Sequence, residues 1–174
     1  MKKNTAKFQK LSILLLVISD TRNEMSDKSG KVLEKRIFES GHKLFKKVFL
    51  KDDKVLIQDY LKKSLKFKNV NAIILTGGTG LTGRDSTPEA VKKIITKEIT
   101  GFGELFRYIS FKKIGTSSLQ SRAIAGVAKD KFIFSVPGSP GACKDAWDGI
   151  LKFQLDSRTK PCNLVELIPR LDEK

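Results

Sequence analysis

Histidine, tryptophan and cysteine are nearly missing from this chain: one His, one Trp and two Cys in 174 residues. The single histidine, His42, rules out a histidine metal cluster and argues against a Ser-His-Asp triad. Cys143 and Cys162 are too few for a multi-thiol metal site and do not suggest a disulfide framework, which favours a reduced, cytosolic setting. Long apolar runs are also lacking. The longest, Leu11–Ile18, follows Lys2, Lys3, Lys7 and Lys10 and so imitates a secretory leader. However, it is short, no small-residue cleavage site follows, and it cannot span a bilayer. It reads as a buried parallel strand, with residues 1–10 as a frayed lead-in.

Acidic residues are scarce. Asp and Glu number 19 against 34 Lys and Arg, a formal charge of +15. Such a surplus suits nucleic acid or an anionic small molecule. The lysines scatter along the chain, however, and no aromatics are interleaved for base stacking. They read as a solvated surface, with neither nucleic acid nor membrane as partner. Most of the 11 Phe fall in apolar patterns and are expected in the core. The lone Trp147 should sit there too, beside Ile150 and Leu151.

Hydrophobic periodicity predicts strands over 11–18, 43–50 and 71–76, separated by helices over 31–40 and 53–66. In the second helix Leu56, Ile57, Tyr60, Leu61 and Leu65 should face inward. Helices over 88–96 and 101–111 follow, then a strand pair over 121–128 and 132–136, then a helix over 142–155. His42 is expected as an exposed strand-edge residue. The β-α-β-α-β-α order implies one α/β domain over residues 11–174, with a mostly parallel, mixed sheet.

In Ile73–Gly80 an apolar strand empties into a loop holding three glycines in four residues, Gly77, Gly78 and Gly80. The chain then passes Arg84 and Asp85 and enters a helix. Thr87 is expected to cap that helix, with Pro88 in its first turn and Glu89 at its positive end. Such a loop aims several N–H groups at one spot and suits a phosphate. It is neither a P-loop nor a dinucleotide fingerprint. In a doubly wound sheet the loops after parallel strands gather at one edge. Segments 19–29, 77–87 and 137–141 should therefore meet. Asp20, Asp27, Asp52 and Asp85 could there hold a divalent cation beside phosphates, with Asp85 the strongest candidate. Phosphoryl chemistry run by positioning and charge then fits best.

These segments resemble a known family. TGGTGLTGRDSTPEA (76–90), LQSRAIAG (119–126) and SVPGSPGAC (135–143) are similar to the molybdenum cofactor biosynthesis domain shared by molybdopterin adenylyltransferases and their relatives. SDTR (19–22) and DKSG (27–30) fit as well. Residues 101–122 and 155–171 resemble its B-type branch. The resemblance implies a three-layer α/β/α fold and adenylylation of molybdopterin: the pterin's terminal phosphate attacks the α-phosphate of Mg-ATP and pyrophosphate leaves. The alternative within the family is a non-catalytic molybdopterin carrier. Carried over, the pterin site falls on Gly77, Gly78, Thr79, Gly80, Ser110, Ser121 and Arg122. The two acidic positions fall on Asp85, the expected Mg2+ ligand, and Asp52, which has Asp53 beside it. The nucleotide is expected against Ser19, Asp20, Asp27, Ser29, Gly30, Pro137, Gly138 and Ser139. A trimer or hexamer, and partners among the other enzymes of the pathway, are implied by the resemblance alone. The chain departs from the adenylyltransferase pattern at Leu81–Arg84 and at Asp145, where a glutamate is common.

Overall fold

The structure, a computed structural model, describes residues 7–173. Six strands form one mixed sheet: β1 (Ser12–Ile18), β2 (Lys43–Leu50), β3 (Ala72–Thr76), β4 (Lys97–Glu98), β5 (Ile124–Ala128) and β6 (Lys131–Val136). Their order is β2-β1-β3-β6-β5-β4. The first four in that order are mutually parallel, whereas β5 runs antiparallel to β6 and β4 antiparallel to β5. The expected hairpin of β5 and β6 is present. The two-residue edge strand β4 carries too little pattern to be read from sequence.

Helices α1 (Ser29–Glu39), α4 (Thr100–Ile114) and α5 (Pro140–Ala146) cover one face, and α2 (Lys54–Ser64) and α3 (Thr87–Lys92) the other. The central strands alternate between these layers. Ile13 and Leu15 of β1 join Leu33, Phe106, Phe134 and Trp147, while Leu14 and Leu16 join Ile57, Leu61 and Val91. Burial on both faces is why these strands read as unbroken apolar runs. A π-turn, Trp147–Leu151, carries α5 on into the short α6 (Lys152–Gln154). Trp147 is buried, as its apolar neighbours predict.

Several local expectations are corrected. His42 is only 3% exposed: Gly41 turns the chain after α1 and tucks the imidazole between Phe8 and Trp147. There Nδ1 accepts a hydrogen bond from the Leu11 N–H at 3.2 Å, and burial lowers its pKa. Leu56 is half exposed while Ile57 and Leu61 are buried, because α2 presents a narrower stripe than its apolar content suggests. Only Phe102, Phe106, Phe132 and Phe134 of the phenylalanines are fully buried, and Phe38, Phe111 and Phe153 face solvent. Thr87 is the first residue of α3 and its hydroxyl caps nothing. Residues 1–6 of the expected lead-in lie outside the described residues. The rest of it is docked: Gln9 N–H donates to Ser157 Oγ at 2.8 Å, and Ser157 Oγ donates to the Lys7 carbonyl at 2.9 Å.

Candidate functional site: a cleft at the carboxyl edge of the sheet

After β1 the chain moves to β2 on one side, and after β2 to β3 on the other. The carboxyl ends of β1 and β3 thus diverge at a switch point, where open α/β sheets form crevices. A cleft of about 690 Å³ opens there. Its walls include Ser19–Arg22 after β1, Gly77–Gly80, Arg84 and Asp85 after β3, and Pro137–Ser139 after β6. Phe106, Ser110 and Ile114 of α4, with Ser117, Gln120 and Ser121 beyond it, close the remaining side. The three loops expected to gather do so.

The glycine loop is shaped by close approach. Gly77 and Gly78 have φ of 109° and 63°, where a side chain is strained. A Cβ on Gly77 would collide with the Ile18 carbonyl. One on Gly78 would collide with Thr87 Oγ1 and lie 2.5 Å from Asp52 Oδ2. Thr87 Oγ1 is buried and has no hydrogen-bond partner among the described residues. Asp52 reaches under the loop from the end of β2. Its Oδ1 accepts from Ser86 N–H at 3.1 Å and Ser86 Oγ at 2.9 Å. The adjacent Asp53 instead caps α2, accepting from Leu56 N–H at 2.9 Å. The geometry therefore separates the neighbours, with Asp52 in the cleft and Asp53 at the helix end.

Asp85 accepts from Thr82 N–H at 3.0 Å and Thr82 Oγ1 at 2.5 Å. The Thr82 hydroxyl is the main reason its pKa falls below the usual carboxylate range, so it is anionic at neutral pH. Asp20 pairs with Arg84 at 2.6 Å across the mouth of the cleft. Cys143 lies beneath the third loop, 3.2 Å from Thr76 Oγ1; burial pushes its thiol up to about 11, which leaves it protonated.

Thirteen of the expected site residues line the cleft: Ser19, Asp20, Asp52, Gly77, Gly78, Thr79, Gly80, Asp85, Ser110, Ser121, Pro137, Gly138 and Ser139. Four do not. Arg122 lies behind the glycine loop, donating to the Thr79 carbonyl at 3.4 Å and the Asp85 carbonyl at 2.9 Å and pairing with Glu89. Asp27 is wholly buried and accepts from Gly30 N–H at 2.7 Å at the start of α1. Ser29 accepts from Arg22 Nη1 at 2.7 Å. These four brace the walls. Asp27 cannot join Asp20, Asp52 and Asp85, and among the described residues no three His, Cys, Asp or Glu converge as a metal cage. Sequence reasoning passed over Arg22, Arg84, Ser117 and Gln120. All four stood within segments already singled out, Arg22 in SDTR, Arg84 in 76–90 and Ser117 and Gln120 in 101–122, but local pattern does not say which side chains of a loop turn toward the cleft.

Comparisons with known proteins agree with this geometry. Residues 14–157 match the family model described as a probable molybdopterin binding domain. The chain is 42% identical over 163 residues to molybdenum cofactor biosynthesis protein B of Escherichia coli strain K12, covering 94% of this chain and 96% of that one. It is 46% identical over 145 residues to the protein of the same name from Staphylococcus aureus strain MRSA252, covering 82% and 86%. A crystal structure of molybdenum cofactor biosynthesis protein B superposes with a TM-score of 0.85 at 38% identity, over 95% of this chain and 98% of the other. The tungsten cofactor synthesizing protein MoaB from Pyrococcus furiosus superposes with a TM-score of 0.77 at 26% identity, over 95% and 99%. With its cleft at the switch point and its motifs on three converging loops, the chain belongs to the molybdenum cofactor biosynthesis domain family of molybdopterin-binding proteins, in the protein B branch.

Proposed function

We propose that this cleft binds molybdopterin and Mg-ATP side by side and adenylylates the pterin. The observation that carries the reading is the convergence of the glycine loop, Asp52, Asp85 and the Pro137–Ser139 loop on one cavity. An oxygen of the pterin's terminal phosphate forms a bond to the α-phosphorus of ATP. The bond from that phosphorus to the bridging oxygen breaks, and pyrophosphate leaves. The phosphate is itself the nucleophile, so the protein needs to supply only alignment and charge.

In the glycine loop Gly77 N–H is taken by the Val136 carbonyl at 3.1 Å, whereas the N–H groups of Gly78 and Thr79 donate to nothing among the described residues and are left for a ligand. Ser110 and Ser121 offer hydroxyls toward the pterin. Asp52 keeps Oδ2 without a hydrogen bond among the described residues, and Asp85 is held anionic. One or two carboxylates completed by substrate phosphates is how magnesium is ordinarily held, so the donors fit a cation that arrives with the nucleotide. Magnesium, when bound, neutralises the phosphate charge. Ser19, Asp20 and the Pro137–Ser139 loop form the end of the cleft assigned to the nucleotide.

Purified protein incubated with molybdopterin and Mg-ATP should yield adenylylated molybdopterin and pyrophosphate. Pterin binding without either product would overturn the reading in favour of a non-catalytic carrier of the same pathway. The proposal includes a cytosolic homo-oligomer, trimer or hexamer, working with other enzymes of the pathway. Leu105, Tyr108, Phe111 and Ile114, exposed along α4, supply apolar surface for that assembly. A monomer in light scattering at micromolar concentration would remove the oligomer.

A further inference from the structure

We infer that Arg22 is a phosphate-binding residue of the cleft, a role that rests on the reading of the cleft as a site for phosphate-bearing substrates. Arg22 enters the cleft from the turn after β1, where its N–H donates to Ser19 Oγ at 3.1 Å. Its guanidinium is held from one side only. Nη1 donates to Ser29 Oγ and to the Gly138 carbonyl, both at 2.7 Å. Among the described residues no carboxylate pairs with Arg22, and nothing accepts from its Nε or Nη2. A guanidinium offers five N–H donors in a planar fork. One nitrogen fixed by two neutral oxygens leaves the other donors and the full positive charge for a ligand.

The contrast with the other cations near the cleft is direct. Arg84 is paired with Asp20, and Arg122 with Glu89. Arg22 is thus the cation of the cleft wall whose charge is uncompensated by an ion pair. Its place is also the right one. A Cβ on Gly138 would lie 3.4 Å from Arg22 Nη1 and 3.0 Å from Gly77 Cα, so the guanidinium adjoins the seam between the glycine loop and the third loop. A fork-shaped cation with free N–H groups at such a seam matches the oxygen pair of a phosphate.

The phosphate could belong to the nucleotide or to the pterin, and binding measurements separate the two. Calorimetry should compare the wild type with Arg22→Met and Arg22→Lys against ATP, inorganic triphosphate, adenosine, molybdopterin and its dephosphorylated form. For a nucleotide phosphate, Arg22→Met should weaken ATP and triphosphate at least about tenfold and leave adenosine unchanged, a loss of the size expected for a charge-assisted hydrogen bond. For the pterin phosphate, the loss should fall on molybdopterin and spare the dephosphorylated form. Arg22→Lys keeps the charge without the fork and should show the same selectivity with a smaller loss; it carries the test alone should Arg22→Met not fold. A loss shared equally by phosphorylated and unphosphorylated ligands would make Arg22 a loop clamp and overturn the inference. So would unchanged affinities, or a wild type that binds no phosphate-bearing ligand. Selective loss in a protein that forms no adenylylated product would leave Arg22 standing while removing the proposed reaction.

Discussion

Two neighbouring loops of the cleft, which meet where Gly138 packs against Gly77, are held in different ways. The glycine loop is fixed by charge. Asp52 takes Ser86 N–H and Oγ, Asp85 takes Thr82 N–H and Oγ1, and Arg122 ties the Thr79 and Asp85 carbonyls to Glu89. The Pro137–Ser139 loop is fixed mainly by neutral contacts. Thr76 Oγ1 donates to the Pro137 carbonyl at 3.2 Å, Cys143 is buried beneath, and Ser139 caps α5 by accepting from Ala142 N–H at 3.2 Å. Among the described residues Arg22 is the one charged group that hydrogen-bonds to it, through the Gly138 carbonyl. The difference teaches where chemistry and where shape reside. The first loop is thus held by carboxylates, its own Asp85 and Asp52 from the end of β2, which in the proposed reaction would align the reacting centre, whereas the second is held by its backbone and hydroxyl contacts.

Changing Asp85 to Asn should break the comparison hardest. The amide keeps an oxygen for Thr82 but loses the negative charge, so product formation should fall at least about 100-fold, the scale of losing one preorganised electrostatic contact. Melting temperature and pterin affinity should stay near wild type. A destabilised protein with normal turnover would reduce Asp85 to a turn residue.

Arg122→Met should come next. It frees two loop carbonyls and strands Glu89, whose Oε2 is already buried without a partner. Denaturant unfolding should show a loss of about 1–3 kcal/mol, since hydrogen bonds to charged groups contribute on that scale. A loss no larger than that of a typical surface substitution would mean that Arg122 does not brace the loop.

Acid should weaken the fold in two stages, the first outside both loops. His42 has a lowered pKa in the folded state, so below the unfolded value of about 6.5 the unfolded chain binds a proton that the folded chain refuses. Stability is full above that pH and falls below it, by at most about 1.4 kcal/mol per pH unit for one proton. Asp85 adds a second loss at lower pH: its contribution is present above the ordinary carboxylate value and vanishes as pH falls through its depressed one. Unfolding curves of His42→Asn should lack the first stage, and an unchanged slope between pH 7 and 5 would assign it elsewhere.

The smallest effect belongs to the second loop. Ser139→Ala removes a helix cap and should cost about 1 kcal/mol. Thermal unfolding measures that, and a substrate titration of the same variant should show turnover much less affected than in Asp85→Asn. A larger loss of turnover here than at Asp85 would invert the comparison.

Much of this was legible in the sequence because the signals are local. Leu11–Ile18 and Ile73–Leu75 are apolar enough to be strands buried on both faces, and glycines clustered after a strand mark a tight turn wherever they occur. The parallel order then brings three loops to one edge, and Asp52, Asp85 and Ser139 were found with them. What failed was pairing at a distance. Asp27 looked as free as Asp20, yet α1 buries it. Thr87 looked like a cap, yet the turn starts α3 one residue earlier than a cap requires and leaves its hydroxyl against Gly78. His42 follows a glycine and precedes an edge strand, and nothing near it in the chain announces that Phe8 and Trp147 enclose it.

The chain by itself determined the α/β class, the alternation of parallel strands and helices up to β3, the glycine loop and the edge at which a ligand site must lie. These follow from hydrophobic periodicity, turn chemistry and the handedness of parallel connections, all readable over short stretches. The tertiary structure decided which polar side chains face the cleft and which brace it from behind. Arg22 and Arg122 are the same residue type, and local pattern cannot tell them apart. One meets a serine and a backbone carbonyl and keeps its charge for a ligand, while the other meets Glu89 and loses that freedom. The identity of a side chain sets what it can bind, but the partners that fold against it decide what remains to be bound.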